Sequence, residues 1–173
     1  MVDHLGRAVD GDQLLYVIAS ARHAARTLQG PVVGTVMSNL GLEIALREQG
    51  VGFQRGNVGD RYVMAKMREA GSILGGETSG HILTLDKTTT GDGLIVALQV
   101  LAVMKATGKT LAELAAGMSR FPQQLINVRV TKRFDAAREP SVASAIASIS
   151  ATRASVWRSA MAMKSSSLPE KLE

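Results

Sequence analysis

The stretch of this chain that is richest in reactive groups is GGETSGH, residues 75–81. It places a carboxylate (Glu77), a hydroxyl (Ser79) and an imidazole (His81) close together. A carboxylate accepts two hydrogen bonds and its charge strengthens both, so Glu77 could hold two neighbouring hydroxyls of a ring. Glycines such as Gly80 let the backbone approach a ligand closely, and His81 can exchange a proton near neutral pH. The pattern predicts a clamp for a vicinal diol, the group that sugars offer.

The alternative interpretation of this stretch is a tight connection between two strands. In that case the glycines satisfy backbone geometry and Glu77 faces water. Most glycine-rich turns are only turns, so the residues alone favour this interpretation for Glu77. For His81, a binding role and a satisfied ring at the start of a strand stay equally open.

A second candidate lies in NVGDRYV, residues 57–63, where Asp60 and Arg61 stand at the start of a predicted helix. Backbone N–H groups at a helix N-terminus and a guanidinium can together bind an anion such as phosphate. The simpler alternative is that Asp60 caps the helix and Arg61 is solvated, and the residues alone favour it.

Other chemistries find little support in the sequence. DKTTTGDG, residues 86–93, does not match a P-loop and offers too few carboxylates for a hard cation, so we predict helix capping by Thr90 or Asp92 instead. Three histidines without any cysteine do not make a zinc site. No serine lies in a G-x-S-x-G nucleophile elbow. We predict no metal site in this chain.

Composition narrows the class of protein. The 173 residues, 46% hydrophobic and 20% charged, suit one globular domain plus a remnant. The longest apolar run, 94–104, is too short to cross a bilayer, so we predict no membrane span. The absence of cysteine and of a secretory signal predicts a cytoplasmic protein. The net charge of +5 is scattered, which argues against nucleic-acid binding and suits a small anionic ligand.

Hydrophobic periodicity and turn residues predict the elements that position these groups. The predicted helices cover 13–26 with Asp12 as N-cap, 42–49, 60–70, 92–105 and a segment from 110 that ends before Pro122; the predicted strands cover 31–37, 51–58, 72–76, 81–85 and 124–130.

The connection between the strands 72–76 and 81–85 is too short for a parallel crossover, so these two strands should be antiparallel. Together with two strand–helix–strand units, this edge predicts an α/β fold whose mixed sheet carries helices on both faces. Because the helix 92–105 is apolar on nearly every side, we expect it to be covered on both sides.

The amino-acid composition changes twice along the chain, which suggests three parts. Residues 1–123 form the predicted α/β domain, and 124–149 form an incomplete α+β remnant that begins with a strand. Residues 150–173 are rich in serine with isolated apolar residues, which predicts a poorly ordered tail.

Several stretches resemble, in the same order, the third domain of the bacterial phosphoglucosamine mutases, a branch of the phosphohexomutase superfamily. They are VDGDQLLYVIA, GTVMSNLGLEIAL, VGDRYV, GGETSGHILTLDKTTTGDGLIVALQVL and FPQQLINVRV. Phosphomannomutases and phosphoglucomutases share the Glu-x-Ser-Gly core, whereas SNLGLE, GDRYV and TTTGDG favour the aminosugar branch. On this resemblance, residues 1–123 correspond to the sugar-binding domain and 124–149 to the start of a fourth domain.

The resemblance implies an isomerase that interconverts glucosamine 6-phosphate and glucosamine 1-phosphate, on the route to UDP-N-acetylglucosamine and peptidoglycan precursors. In the family a phosphoserine transfers the phosphoryl group with the aid of a magnesium ion. By position, Glu77, Ser79 and the backbone of Gly80 would bind ring hydroxyls. His81 would bind the sugar or transfer a proton, and Arg61 would contact the substrate.

The chain departs from the family pattern near both ends. Neither the family's Ser-Ala-Ser-His-Asn-Pro stretch, nor its Asp-Gly-Asp-Gly-Asp loop, nor its Arg-Pro-Ser-Gly-Thr loop occurs in the sequence. We therefore expect a fragment from a truncated or frame-shifted gene that binds no cofactor alone and is inactive alone, so that its status as an enzyme stays open. The alternatives are a non-catalytic module that joins a separate N-terminal half or self-associates, and a phosphomannomutase or phosphoglucomutase fragment.

Overall fold

The computed structural model describes residues 1–124, 129 and 138–148. The chain divides into two compact units, Met1–Gln123 and Gln124–Glu173. In the second unit, residues 140–148 are helical. Most of the predicted strand 124–130 and the whole predicted tail 150–173 lie outside the described residues. The division into a sugar-binding domain, a fourth-domain start and a tail therefore stays a prediction.

The first unit alternates helices with short strands. Its helices are α1 (Gly11–Ala24), α2 (Leu40–Glu48), α3 (Asp60–Glu69), α4 (Gly93–Thr107) and α5 (Leu111–Ala115), and its strands are β1 (Val32–Thr35), β2 (Phe53–Gly56), β3 (Leu74–Gly76) and β4 (Ile82–Thr84).

The strands form one sheet in the order β2-β1-β3-β4. Strand β1 pairs in parallel with β2 and β3, while β3 pairs antiparallel with β4. The predicted mixed sheet with an antiparallel edge is confirmed. None of the helices in the described part of the chain has the length and hydropathy needed to span a bilayer.

Helices cover both faces of this sheet. Because successive strand residues point to opposite faces, neighbours in a strand should join different hydrophobic clusters. Val32 and Ile82 indeed pack in the larger cluster with side chains of α1, α2, α4 and α5. Val33 and Leu83 pack in the smaller cluster with the buried side chains of α3. The predicted α/β architecture with helices on both faces is confirmed.

Two predicted N-caps were wrong by one or two positions. Helix α1 is capped by Asp10, whose carboxylate accepts from the Gln13 N–H at 3.0 Å. Asp12 lies inside the first turn, so it does not cap the helix. Its side chain is buried instead. Helix α3 is capped by Gly59, and Asp60 is its first residue. The predicted cap at Asp92 and the capping box that opens α5 are both present.

Helix α4 is not covered on both sides, which contradicts the sequence-based expectation. Val96 and Val100 are buried, but Leu94, Leu98 and Leu101 are 78%, 65% and 49% exposed. The expectation failed because a uniformly apolar helix has no period that tells which side is covered. We refer to Leu94, Leu98 and Leu101 as the α4 outer face.

Replacing Gly11 by alanine tests a close backbone contact within the first unit. A Cβ at Gly11 would lie 2.1 Å from the backbone oxygen of Glu77 and 2.6 Å from the backbone nitrogen of Gly80. Backbone atoms cannot move aside as the end of a flexible side chain can. We therefore expect Gly11→Ala to lower the free energy of unfolding by about 1–3 kcal/mol or more, measured by urea titration.

The matched control is Gly93→Ala, at the first residue of α4. An added Cβ there meets no atom within 4 Å, so the free energy of unfolding should stay constant or rise slightly. Equal values for the two variants would contradict the close contact at Gly11.

Candidate functional site

The 77–81 loop joins β3 to β4 and is closed by its own backbone. The Glu77 N–H donates to the His81 oxygen at 3.0 Å, and the Gly80 N–H donates to the Glu77 oxygen at 2.9 Å. Gly80 has a φ of +100°, a conformation that L side chains rarely adopt. The turn itself therefore requires glycine at position 80.

The N-terminus of α1 holds the loop from one side. The Gly11 N–H donates to the Thr78 oxygen at 2.9 Å, and the Thr78 hydroxyl donates to Asp12 Oδ2 at 2.8 Å. Asp12 Oδ2 also accepts from the Asn39 N–H at 2.7 Å. These contacts fix the loop at Thr78, while the next residue, Ser79, stays exposed.

The N-terminus of α3 holds the loop from the other side. The Gly59 N–H donates to Glu77 Oε1 at 2.8 Å. Asp60 Oδ1 lies 3.5 Å from His81 Nδ1, and the side chains of these two residues are 46% and 67% exposed. Glu77 is thus oriented and half-buried, with one oxygen bound to the backbone and no hydrogen-bond partner for the other oxygen within the described residues.

The structure brings together most of the residues that the sequence singled out, but not Arg61. Glu77 and His81 lie side by side at the loop, and Asp60 joins them. The Arg61 guanidinium lies over the Tyr62 ring, 4.5 Å from its centroid, and contacts the Tyr62 hydroxyl. Within the described residues, no hydrogen bond or ion pair joins Arg61 to the loop.

The sequence interpretation missed the polar residues that support the loop, Asp12 and Thr78. The signal was present in VDGDQ, where an acid follows the capping acid at a distance of two residues. Because Asp10 already caps the helix, a second acid inside the first turn does not need to cap and can turn inward.

Burial dominates the electrostatics of Asp12. The residue is fully buried. Burial raises the pKa of its carboxyl above the ordinary value, the Asn39 N–H and the Thr78 hydroxyl pull that pKa partly back, and the nearby charge of Asp10 raises it further. The carboxyl that holds the loop is therefore easier to protonate than an exposed one.

Three potential metal ligands meet at the loop. The ligand atoms of Asp60, Glu77 and His81 all lie within 4.8 Å of one another. Magnesium, the ion implied by the family resemblance, prefers six oxygen ligands in an octahedron. A set of two carboxylates and one exposed imidazole does not fit that preference, so we assign no magnesium-dependent step to these residues.

Comparison with known proteins identifies the family. The family described as phosphoglucomutase/phosphomannomutase, alpha/beta/alpha domain III, matches residues 10–121. The chain therefore belongs to the phosphoglucomutase/phosphomannomutase family, and the matched part is its domain III.

Curated relatives indicate the branch of the family. A phosphoglucosamine mutase of Methylococcus capsulatus is 61% identical over 142 residues, which cover 82% of this chain and 32% of that protein. A phosphoglucosamine mutase of Halorhodospira halophila is 56% identical over 146 residues, which cover 84% of this chain and 32% of that protein. The resemblance stated from the sequence is confirmed. The chain spans about a third of the length of these relatives.

Solved structures agree with this fold. A phosphoglucomutase/phosphomannomutase family protein of Burkholderia thailandensis is 26% identical with a TM-score of 0.58, over 66% of this chain and 25% of that chain. The N-acetylphosphoglucosamine mutase of Aspergillus fumigatus is 25% identical with a TM-score of 0.59, over 80% of this chain and 34% of that chain.

Replacing Asp12 by asparagine tests the buried carboxyl. Because the folded-state pKa of Asp12 is raised above the unfolded value, the folded protein binds this proton more tightly than the unfolded chain does. The contribution of Asp12 to stability therefore falls as the pH rises through the window between the unfolded and folded pKa values. Asparagine does not titrate, so the free energy of unfolding of Asp12→Asn minus that of the wild type should increase with pH in this window.

The measurement is urea unfolding of both proteins at a series of pH values upward from the ordinary pKa of 3.8. The difference between the proteins cancels the titration of distant acids that both proteins retain. A difference that stays constant or decreases with pH would contradict the raised pKa.

Proposed function

We propose that this chain is the sugar-recognition part of a phosphoglucosamine mutase and that it binds glucosamine 6-phosphate and glucosamine 1-phosphate at the 77–81 loop. The observation that carries the proposal is the fixed orientation of the Glu77 carboxylate. Its half-buried carboxylate is oriented by the Gly59 N–H, beside the exposed side chains of Ser79 and His81. Relatives named phosphoglucosamine mutase support the choice of sugar.

Each residue of the loop has a defined part in this proposal. Glu77 accepts hydrogen bonds from ring hydroxyls, and charge assistance makes these bonds stronger than neutral ones. Ser79 donates or accepts one more bond. No atom lies within 4 Å of the position that a Cβ would take at Gly80, so the ligand can approach the backbone there. His81 is exposed enough to bind the sugar or to exchange a proton with it.

Arg61 completes the proposed site only after a change of conformation. Its guanidinium must leave the Tyr62 ring to reach a substrate phosphate. An exposed cation–π contact is worth only about 0.5–1 kcal/mol, so a charged ligand can replace it.

We further propose that the chain alone binds the sugar phosphate without converting it. The family resemblance assigns phosphoryl transfer to a serine stretch and to a magnesium loop, and neither stretch occurs in this sequence. A positioned phosphoryl donor and a metal ion supply most of the rate enhancement in such reactions. Recognition can persist without them, because the loop and its supports all lie in the first unit.

A second candidate function is association through the α4 outer face. Leu94, Leu98 and Leu101 stand at helical spacing and are largely exposed. Contiguous exposed apolar surface marks association sites in soluble proteins. We propose that a second copy of the chain covers this face in solution, and a separate N-terminal half is the other partner that such a face would suit.

Replacing Glu77 by glutamine tests sugar recognition in an NMR titration with glucosamine 6-phosphate. We expect the ligand to shift the amides of residues 59–62 and 75–81 in the wild type. Because glutamine keeps the shape but loses the charge-assisted bonds, Glu77→Gln should weaken binding by roughly tenfold or more.

The matched control is Glu69→Gln, which removes the same charge at the exposed far end of α3. This variant should bind as the wild type does. Shifts confined to residues outside the two stretches would overturn the proposed function. A coupled assay with magnesium and glucose 1,6-bisphosphate should give no turnover from the purified chain, and turnover would contradict the proposal that the chain only binds.

Replacing Leu98 by glutamate tests association through the α4 outer face. A buried charge without a partner opposes assembly, so Leu98→Glu should sediment as a monomer at tens of micromolar where the wild type associates. Val58→Glu is the control, because Val58 is 53% exposed but lies outside α4. A wild type that sediments as a monomer, or a Val58→Glu variant that dissociates equally, would exclude this candidate.

A further inference from the structure

The residues around the 77–81 loop form a patch of negative charge that the sugar-hydroxyl clamp does not require. Asp60, the first residue of α3, lies beside His81, and the ligand atoms of Asp60, His81 and Glu77 lie within 4.8 Å of one another. Within the described residues, no lysine or arginine forms an ion pair with Asp60 or Glu77, and the neighbouring Arg61 is turned onto Tyr62. Two carboxylates thus face a single exposed imidazole.

The spacing of these carboxylates suits an ammonium group. A charged N–H···O bond measures about 2.8 Å, so one nitrogen can bond two oxygens that lie up to about 5.6 Å apart. The ligand oxygens of Asp60 and Glu77 meet this condition, since they are within 4.8 Å of each other. An ammonium carries three donors, so it can bond both acids and still bond a third acceptor. A ring hydroxyl in the same place has only one donor, so it can bond only one of the two acids.

We propose that Asp60 is a specificity-determining residue, which together with Glu77 binds the ammonium group of an amino sugar phosphate and so favours it over the matching hydroxyl sugar. This inference rests on the proposed function of the 77–81 loop. Glu77 serves either sugar, because it bonds hydroxyls as well as ammonium. Asp60 makes the difference, because its carboxylate adds a second negative charge where the two sugars differ. The exposed imidazole of His81 lies 3.5 Å from the Asp60 carboxylate.

The expected size of the preference for the amino sugar follows from the solvent exposure of Asp60. The Asp60 side chain is 46% exposed, so water screens its attraction for a cation. Exposed charge pairs contribute at most about a factor of five in affinity. We expect glucosamine 6-phosphate to bind roughly two to five times more tightly than glucose 6-phosphate.

The experiment measures the dissociation constants of glucosamine 6-phosphate and glucose 6-phosphate for the full chain by NMR, at a pH where the amine is protonated. In Asp60→Asn the ratio of the two constants should fall toward one, with binding of glucose 6-phosphate retained. Glu69→Gln is the control, because it removes one negative charge from the same helix away from the loop. It should keep the ratio of the wild type.

The outcomes separate this inference from the proposed function. If the wild type binds both sugar phosphates equally at the loop, or if Asp60→Asn keeps the ratio, the role of Asp60 is overturned while sugar binding by the loop stands. If Asp60→Asn weakens both ligands by the same factor, Asp60 is structural and the specificity role is overturned. If neither ligand shifts residues 75–81 in the wild type, the proposed function fails and the inference fails with it.

Discussion

The contact between the N-terminus of α1 and the 77–81 loop is the constraint on which the site depends. Gly11 and Asp12 make it, and the preceding residue, Asp10, fixes the helix end that carries them. Asp10 caps the helix, Gly11 leaves room for the loop backbone, and Asp12 accepts the Thr78 hydroxyl. The α1 backbone can approach the loop closely only because residue 11 has no side chain. The start of α1 therefore positions the loop as well as beginning a helix.

The buried carboxylate of Asp12 connects this contact to the rest of the first unit. Asp12 also accepts from the Asn39 N–H, and Asn39 caps α2. The Asn39 side chain in turn binds the backbone of Phe121 and the side chain of Gln123. Buried polar groups are costly unless their bonds are made, so such a network favours one geometry. The loop thus shares a hydrogen-bonded network with the end of the first unit.

Local signals in the sequence predicted the fold well and the supports of the site poorly. The short connection between β3 and β4 required antiparallel pairing, and the capping box of α5 lies within four residues. Glu77, Ser79 and His81 were predicted as site residues because they share one stretch, and their role stays a prediction. Asp12 could not be found in this way, because it lies 66 residues from Thr78. The prediction that α4 is buried on both sides was wrong, because its uniformly apolar sequence does not indicate which side of the helix is buried.

The arrangement of the loop supports the proposal that sugar recognition is separate from phosphoryl transfer. Thr78 is bound to α1 and Glu77 to α3, so the loop is fixed from two sides before any ligand arrives. Preorganisation lowers the entropic cost of binding, because the proposed sugar ligand would need to order little of the loop. Both supports precede the loop in the chain and lie in the same unit. Within the described residues, the hydrogen bond that orients Glu77 is therefore made inside the first unit.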